Sequence, residues 1–545
     1  MLAIVLSAAL SPANACGGFF CNQSEPVVQK AERIVFAVDE VGGWVETHVQ
    51  VEYEGPSEEF AWIVPVQAQP ELFLSTDVLF STVGGQLQPR FDLEVVEEGR
   101  CRYPVHISLP CPGCSNDYSL AAAPENADVR GVDVLASDVV GPYDTVTLQA
   151  DSVEALMEWL ELNDYDIPSG AAASIAPYVS AEGYFVALKL TKGADVGDLA
   201  PLALRYAGDR PAVPIQLTAV AAADDLRLEV TVFGSRRAVP ENYLHVRLND
   251  AAIDWFTGGA NYLDVITRAA DEAGGHAFAT DFAGPSSILA PSFAVDADLQ
   301  ALSGMSTPTA WIEEVQSSGF TGTMDVLDAF RRAVPVAPGF DELSVYNCPS
   351  CFEGWYGGEA WDAEVATGIL VERVIEPREA IDALITSYPY VTRLTSSLSA
   401  SEMTLDPMFT FTDGMGDVEI ARTARLVFEC NGKYRRRAPR RLDLPSGLSI
   451  ALPSQKWFDH EGITESEYLA ELGELNAATI EQTGAGAPVV LVDFTGDLAD
   501  QVALFNGQPL GRACGCASVD PSVPGALVLL GLFGVRRRRD RPVTR

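Results

Sequence analysis

The stretch His48-Val49-Gln50-Val51-Glu52-Tyr53-Glu54 alternates polar and apolar side chains residue by residue. Successive residues of a strand point to opposite faces, so this is the period of a β-strand with one wet face, and His48 is expected on that face. Apolar runs at 34–38 and 60–66 flank it, with Gly42-Gly43 and Gly55-Pro56 as turn formers. Pro65 brings no N–H to a ladder, which predicts a sheet edge or a strand end. Beyond these, residues 151–162 change period. Val153, Leu156, Met157 and Leu160 recur at helical spacing, with Asp151 and Glu154 as the expected cap. A continuous apolar run at 184–190 follows. Then Leu226, Leu228, Val230 and Val232 alternate with Arg227, Glu229 and Thr231. Sheet, helix and sheet again predict an α+β fold, not a regular βαβ array.

From about residue 250 helical patterns dominate, at 262–273 (closed by Gly274-Gly275), 311–315, 324–332, 361–374 and 380–385. Thr464 and Glu467 have capping-box spacing ahead of an amphipathic helix expected over 468–480, and 489–494 reads as a buried strand. The expected organisation is a signal peptide at 1–15, a β-rich mixed domain at 16–240, a helix-rich domain at 241–428, a small α+β region at 429–510 and a short hydrophobic tail at 511–545.

The 545 residues include 76 acidic and 36 basic side chains, a formal charge of −40. Such a charge repels nucleic acid and anionic lipid, so nucleic-acid binding is excluded as a class. Lys433, Arg435, Arg436, Arg437, Arg440 and Arg441 are a local exception. They are expected on a solvated hairpin or loop balanced by acidic neighbours, with an anionic-glycan site or a protease-sensitive linker as alternatives.

Both ends point to export. Residues 1–15 are apolar and uncharged, and close on Ala13-Asn14-Ala15 before Cys16, an A-x-A cleavage pattern. At the other end Cys514-Gly515-Cys516 precedes an apolar run at 524–535 and then Arg536, Arg537, Arg538 and Arg539. As a helix that run is about 18 Å long at ~1.5 Å per residue. A bilayer core of ~30 Å needs more, so a transient stop-transfer segment fits better than a permanent anchor, with its arginines on the cytoplasmic side. The three-part order resembles the myxobacterial-type C-terminal sorting signal. That resemblance implies processing or lipid attachment at Cys514 or Cys516, the sorting machinery and the membrane as partners, and a cell-envelope or cell-surface location.

Eight cysteines lie outside the tail: Cys16, Cys21, Cys101, Cys111, Cys114, Cys348, Cys351 and Cys430. An even number in an exported chain favours disulfides. Cys16 with Cys21, and Cys101 with Cys111 or Cys114, are the expected local pairs, with Cys348, Cys351 and Cys430 supplying the rest. The two C-P-x-C units, Cys111 to Cys114 and Cys348 to Cys351, leave zinc and redox readings open.

No catalytic residue, metal or cofactor is assigned. The five histidines, His48, His106, His245, His276 and His460, fall in no H-E-x-x-H pattern, and there is neither a G-x-S-x-G elbow nor a phosphate loop. Asp413, Asp417 and Glu419 could offer oxygen ligands to calcium, though a glycine-rich acidic turn is the commoner meaning. Asn242-Tyr243, Trp255, Asn261-Tyr262 and Tyr388-Pro389-Tyr390 suit glycan contact or, more often, packing. Arg393 could anchor a buried carboxylate.

Several stretches together resemble a bacterial family known only as domain of unknown function 2330. They are 15–21 (ACGGFFC) with 32–36 (ERIVF), 60–66 (FAWIVPV), 239–243 (VPENY) with Asp254-Trp255 and Asn261-Tyr262, 346–348 (YNC) with Cys351, 388–394 (YPYVTRL) and 402–407 (EMTLDP). The resemblance implies an extracytoplasmic setting and no known reaction. The expected function is therefore an exported, disulfide-stabilised envelope protein acting in interaction or scaffolding on a protein or glycan ligand. The alternative is an extracytoplasmic enzyme, either a hydrolase or a thiol–disulfide protein using a C-P-x-C unit.

Overall fold

The alternation at 48–54 builds the second strand of a ten-stranded sheet. The structure is a computed structural model that describes residues 28–54, 61–103, 132–140, 143–190 and 201–508, apart from 164, 166, 168, 169, 181, 182, 221, 290–296, 335, 337, 338, 355, 357–360, 474 and 485. The expected signal peptide, Cys16, Cys21, His106, Cys111, Cys114, Cys514, Cys516 and the arginine cluster at 536–539 lie outside the described residues.

Across the large sheet the strands run Val489–Asp493, Ala477–Gln482, Leu244–Leu248, Ala277–Pro285, Tyr390–Leu398, Ala222–Gly234, Val28–Asp39, Trp44–Glu54, Leu202–Ala207 and Glu71–Leu74. Two neighbouring pairs are parallel, Val28–Asp39 with Ala222–Gly234 and Leu244–Leu248 with Ala277–Pro285. Register places Ile34 opposite both Val49 and Val230, so the period-2 apolar residues of three strands share one face. That face packs on a four-stranded sheet of Ala61–Val66, Tyr184–Leu190, Tyr143–Ala150 and Val132–Val140, where Val64, Val186 and Leu188 join Ile34, Val49 and Val230 in one core. Ala61–Val66 is an edge strand, as Pro65 predicts. The small sheet's other face, Leu148, Phe185 and Ala187, is covered by Leu156, Trp159 and Leu160 of helix Val153–Leu162.

The far face of the large sheet carries Val35, Ala37, Phe233 and Val391 against helices Asp77–Leu87 and Glu376–Ser387. A helical cluster spanning Leu299–Ser303 to Ala363–Leu370 packs around Trp311, Phe330 and Tyr346. A second four-stranded sheet, Ser449–Leu452, Arg440–Asp443, Ala421–Glu429 and Arg90–Glu98, carries the basic cluster. The α+β class holds. The ten-stranded sheet draws strands from 16–240, 241–428 and 429–510 alike, and its compact unit ends at Asn506. No helix among the described residues is long and apolar enough to cross a membrane.

Several local expectations are corrected. Ser152, not Asp151, caps helix Val153–Leu162, accepting from the Ala155 N–H at 3.1 Å. The Thr464–Glu467 capping box forms, but its helix is only Glu465–Leu469. Instead of continuing to 480, the chain turns at Gly473 (φ +143°) and enters the sheet as Ala477–Gln482, because its ladder to Leu244–Leu248 satisfies a strand that would otherwise end the sheet. Val489–Asp493 is a strand but not a buried one. It is the edge strand of the sheet, and every residue in it is exposed.

Candidate functional site

A cavity of about 290 Å³ lies between the shared face of the large sheet and the edge strand Ala61–Val66. Its floor comes from alternating positions: Glu32 and Ile34 on one strand, Thr47 and Val49 on the next, then Leu204 and Tyr206. Trp62, Ile63, Val64, Pro65 and Val66 form the opposite wall, and the exposed Gln67, Pro177 and Ser180 stand at the rim. Glu32 is only 4% exposed, and the Thr218 hydroxyl donates to its carboxylate at 3.3 Å. Tyr206 is buried, which pushes its phenol up to about 12. Thr47 is 7% exposed, with its hydroxyl beside the Tyr206 phenol.

Asp406 closes one end. Its Oδ1 accepts from the Tyr178 hydroxyl at 2.8 Å and from the Gln216 N–H at 3.1 Å. Burial raises the Asp406 carboxyl above its ordinary range in spite of these bonds. Burial, followed by the neighbouring Asp406 charge, raises the Tyr178 phenol as well. The loop carrying Asp406 is held from behind. Asn242 Nδ2 donates to the Asp406 carbonyl at 2.7 Å, the Tyr243 hydroxyl donates to the Leu405 carbonyl at 2.6 Å, and the Met408 N–H donates back to Asn242 Oδ1 at 2.8 Å. Asn242 and Tyr243 are thus clamps on a cavity-bearing loop, not a glycan platform. Trp255 and Tyr262 are likewise turned inward, donating to the Asp250 carbonyl at 2.7 Å and to Asp281 Oδ1 at 2.5 Å. Gly183 sits at the rim where a Cβ would collide with the Tyr178 carbonyl, so the turn that presents Tyr178 needs glycine there.

His48 is not on a wet face. It is 8% exposed, with Nδ1 2.8 Å from Ser75 Oγ and Nε2 3.0 Å from Glu46 Oε1. Burial would raise the Glu46 carboxyl, but hydrogen bonds from His48 and Arg205 outweigh it and hold it low. His245 is also buried, and burial lowers its pKa. Its Nδ1 lies 3.3 Å from Glu481 Oε2 and its Nε2 lies 2.9 Å from Thr280 Oγ1. His276 bonds the Glu402 carbonyl at 2.6 Å, and His460 is exposed beside Glu461. Arg393 does anchor buried carboxylates, lying 2.9 Å from Glu229 and 3.5 Å from Asp281.

The disulfide pairing differs from the local one expected. Cys101 bonds to Cys430, with Cα atoms 4.9 Å apart, and not to Cys111 or Cys114. The parallel strands Arg90–Glu98 and Ala421–Glu429 put Glu98 opposite Glu429, so the chain just beyond each strand arrives at the same place. Glu97 stands next to this pair, but both sulfurs are consumed by the bond and offer no metal thiolates. Cys348 bonds to Cys351 in a turn after helix Glu342–Asn347, which removes both from a four-thiolate zinc site. Four of the six basic residues are paired with acids, Arg435 with Glu97, Arg436 with Asp459, Arg440 with Glu465, and Arg441 with Glu98, Glu429 and Asp443, but Arg440 is 3% exposed on a strand and is not on a solvated loop as expected. Asp413 pairs with Arg236 at 3.4 Å, and Asp417 accepts from the Tyr390 hydroxyl at 2.7 Å.

Sequence reasoning gave the cavity residues no role. One signal was available: Glu32 shares a strand face with Ile34 and Phe36, and a carboxylate on an apolar face is unusual enough to mark a site. Tyr178 and Tyr206 carried no such mark. A family model described as "Uncharacterized protein conserved in bacteria (DUF2330)" matches residues 10–317, more than half of the chain, and takes in every cavity-lining residue except Asp406. No curated protein and no solved structure matches the chain.

Proposed function

The chain belongs to that DUF2330 family, and on this premise we propose that it is an exported binding protein, brought to the cell envelope by its C-terminal tail, that holds a small ligand in the cavity between its two sheets. One observation carries the binding reading. Strands and loops far apart in the chain, from Glu32 to Asp406, converge on a mostly apolar space with a few buried polar groups, the form that ligand pockets take. The two disulfides support export, since such bonds persist in oxidising compartments. The test is ligand-induced stabilisation of the full chain by a small-molecule library. Ser180→Trp, at the exposed rim, is expected to abolish the thermal shifts while leaving the unliganded melting temperature near that of the parent. Equal shifts in both proteins would place binding elsewhere.

The enzyme alternative is favoured by one arrangement, the Ser75–His48–Glu46 chain, which has the order of a hydrolase triad. Its ring is inverted relative to the usual Nε2–serine contact, and neither Ser75 nor His48 lines the cavity. A structural tie between the sheet and helix Asp77–Leu87 is therefore the stronger reading. Fluorophosphonate is expected to leave Ser75 unlabelled; labelling that Ser75→Ala removes would establish the hydrolase instead.

A further inference from the structure

We infer that the cavity takes an uncharged, largely apolar molecule, an aliphatic chain or small ring carrying no more than a hydroxyl, and discriminates against anions. The inference rests on the binding reading above and specifies its chemistry. The polar groups of the cavity are engaged within the protein. Glu32 accepts from the Thr218 hydroxyl at 3.3 Å and makes a further interaction as well. The Thr47 hydroxyl lies beside the Tyr206 phenol. Asp406 Oδ1 accepts from both the Tyr178 hydroxyl and the Gln216 N–H. A ligand bringing its own charge into the interior would have to displace one of these contacts, and the displaced group would be left buried without a partner.

What remains for a ligand is carbon. Ile34, Val49 and Leu204 present the floor from one sheet, and Trp62, Val64 and Val66 the facing wall from the other. An apolar body between them is taken out of water on both sides, a gain that needs no polar partner. The volume of about 290 Å³ falls at the small end of ligand pockets. The rim differs from the interior. Exposed Gln67 and Ser180 can bond a hydroxyl at the mouth, which places the polar end of the molecule there. An anion is the occupant least suited. Among the described lining residues there is no lysine or arginine to receive it. Asp406 bonds Tyr178, two residues from Ser180, so a carboxylate head at the mouth would meet a second acid. Burial already raises the Asp406 carboxyl, and a second negative charge would disfavour its ionised form further.

Isothermal titration of the full chain in mildly alkaline buffer tests this with octanol, octanoate and octylammonium, which share one chain and differ in the head. Octanol is expected to bind at least as tightly as octylammonium and at least tenfold more tightly than octanoate. Ser180→Trp is expected to abolish octanol binding. Asp406→Asn, which keeps side-chain shape and removes the charge, is expected to bring octanoate within tenfold of octanol. Circular dichroism checks that this variant is folded, and the comparison of heads on the parent decides the class even if it is not. If octanoate binds the parent within tenfold of octanol, if octylammonium binds more tightly than octanol, or if folded Asp406→Asn still holds octanoate beyond tenfold, the uncharged class is wrong while the pocket reading stands. If no probe binds, or if octanol binds Ser180→Trp as it binds the parent, the class is also overturned. The library screen then decides the pocket reading separately: shifts lost in Ser180→Trp keep it, and shifts unchanged in Ser180→Trp end it.

Discussion

Arg393→Met is expected to lower folding stability by about 3–5 kcal/mol, the usual result of removing one partner from a buried ion pair. Arg393 is 5% exposed on a central strand of the large sheet, with Glu229 at 2.9 Å and Asp281 at 3.5 Å. The two acids are not left in the same position by its loss. Glu229 keeps Arg33 at 3.5 Å and Arg227 at 3.4 Å. Asp281, 1% exposed, keeps the hydroxyls of Tyr262 and Thr395, but loses the guanidinium that faces it. Most of the loss should therefore come from Asp281, and the double variant Arg393→Met with Asp281→Asn should recover a measurable part of it. Guanidinium unfolding midpoints of the parent, the two single variants and the double variant close the cycle. A single-variant loss below about 1 kcal/mol, a value typical of exposed pairs, would show that the network is solvated and not a buried anchor.

That network also marks where periodicity stops being informative. Alternation at 48–54 and 226–232 located strands correctly, because side-chain direction in a strand depends only on local backbone geometry. It also suggested a polar face in water. Glu229, His48 and Glu46 are instead buried, since the face opposite the apolar core is covered by helices and ion-paired loops contributed by distant sequence. Which layer covers a strand is a property of the sheet order, and an order that puts Val28–Asp39 next to Ala222–Gly234 leaves no trace in either segment. The same limit explains both ends of the sheet's far side. Residues 477–482 carry a pattern that could continue a helix, and only the open edge of Leu244–Leu248 makes a strand of them. Val489 to Val492 look like core and lie outside because they form the edge strand of the sheet. The cavity was legible only in fragments: Glu32, Trp62 and Asp406 stood within recognisable stretches, whereas their convergence depended on the tertiary fold.

Loss of the Cys101–Cys430 bond is expected to be the other large effect, about 6 kcal/mol in the chain-entropy limit, because stabilisation grows with the length of chain that a crosslink closes. The two cysteines are separated by 329 residues, against three for Cys348–Cys351. The comparison is internal: Cys101→Ser with Cys430→Ser should lower the guanidinium midpoint strongly, and Cys348→Ser with Cys351→Ser should have less than half that effect. Position reinforces length. Cys430 is fully buried and joins the ends of the two parallel strands Arg90–Glu98 and Ala421–Glu429, so the bond fixes a contact of high sequence separation that the unfolded chain makes rarely. Alkylation of native, unreduced protein should leave all four of these cysteines unlabelled. Labelling at Cys101 and Cys430 would remove the bond and, with it, the main structural support for an oxidising compartment. If they resist alkylation but the double serine variant is as stable as the parent, the ladder between those strands is sufficient alone, and the crosslink serves something other than folding.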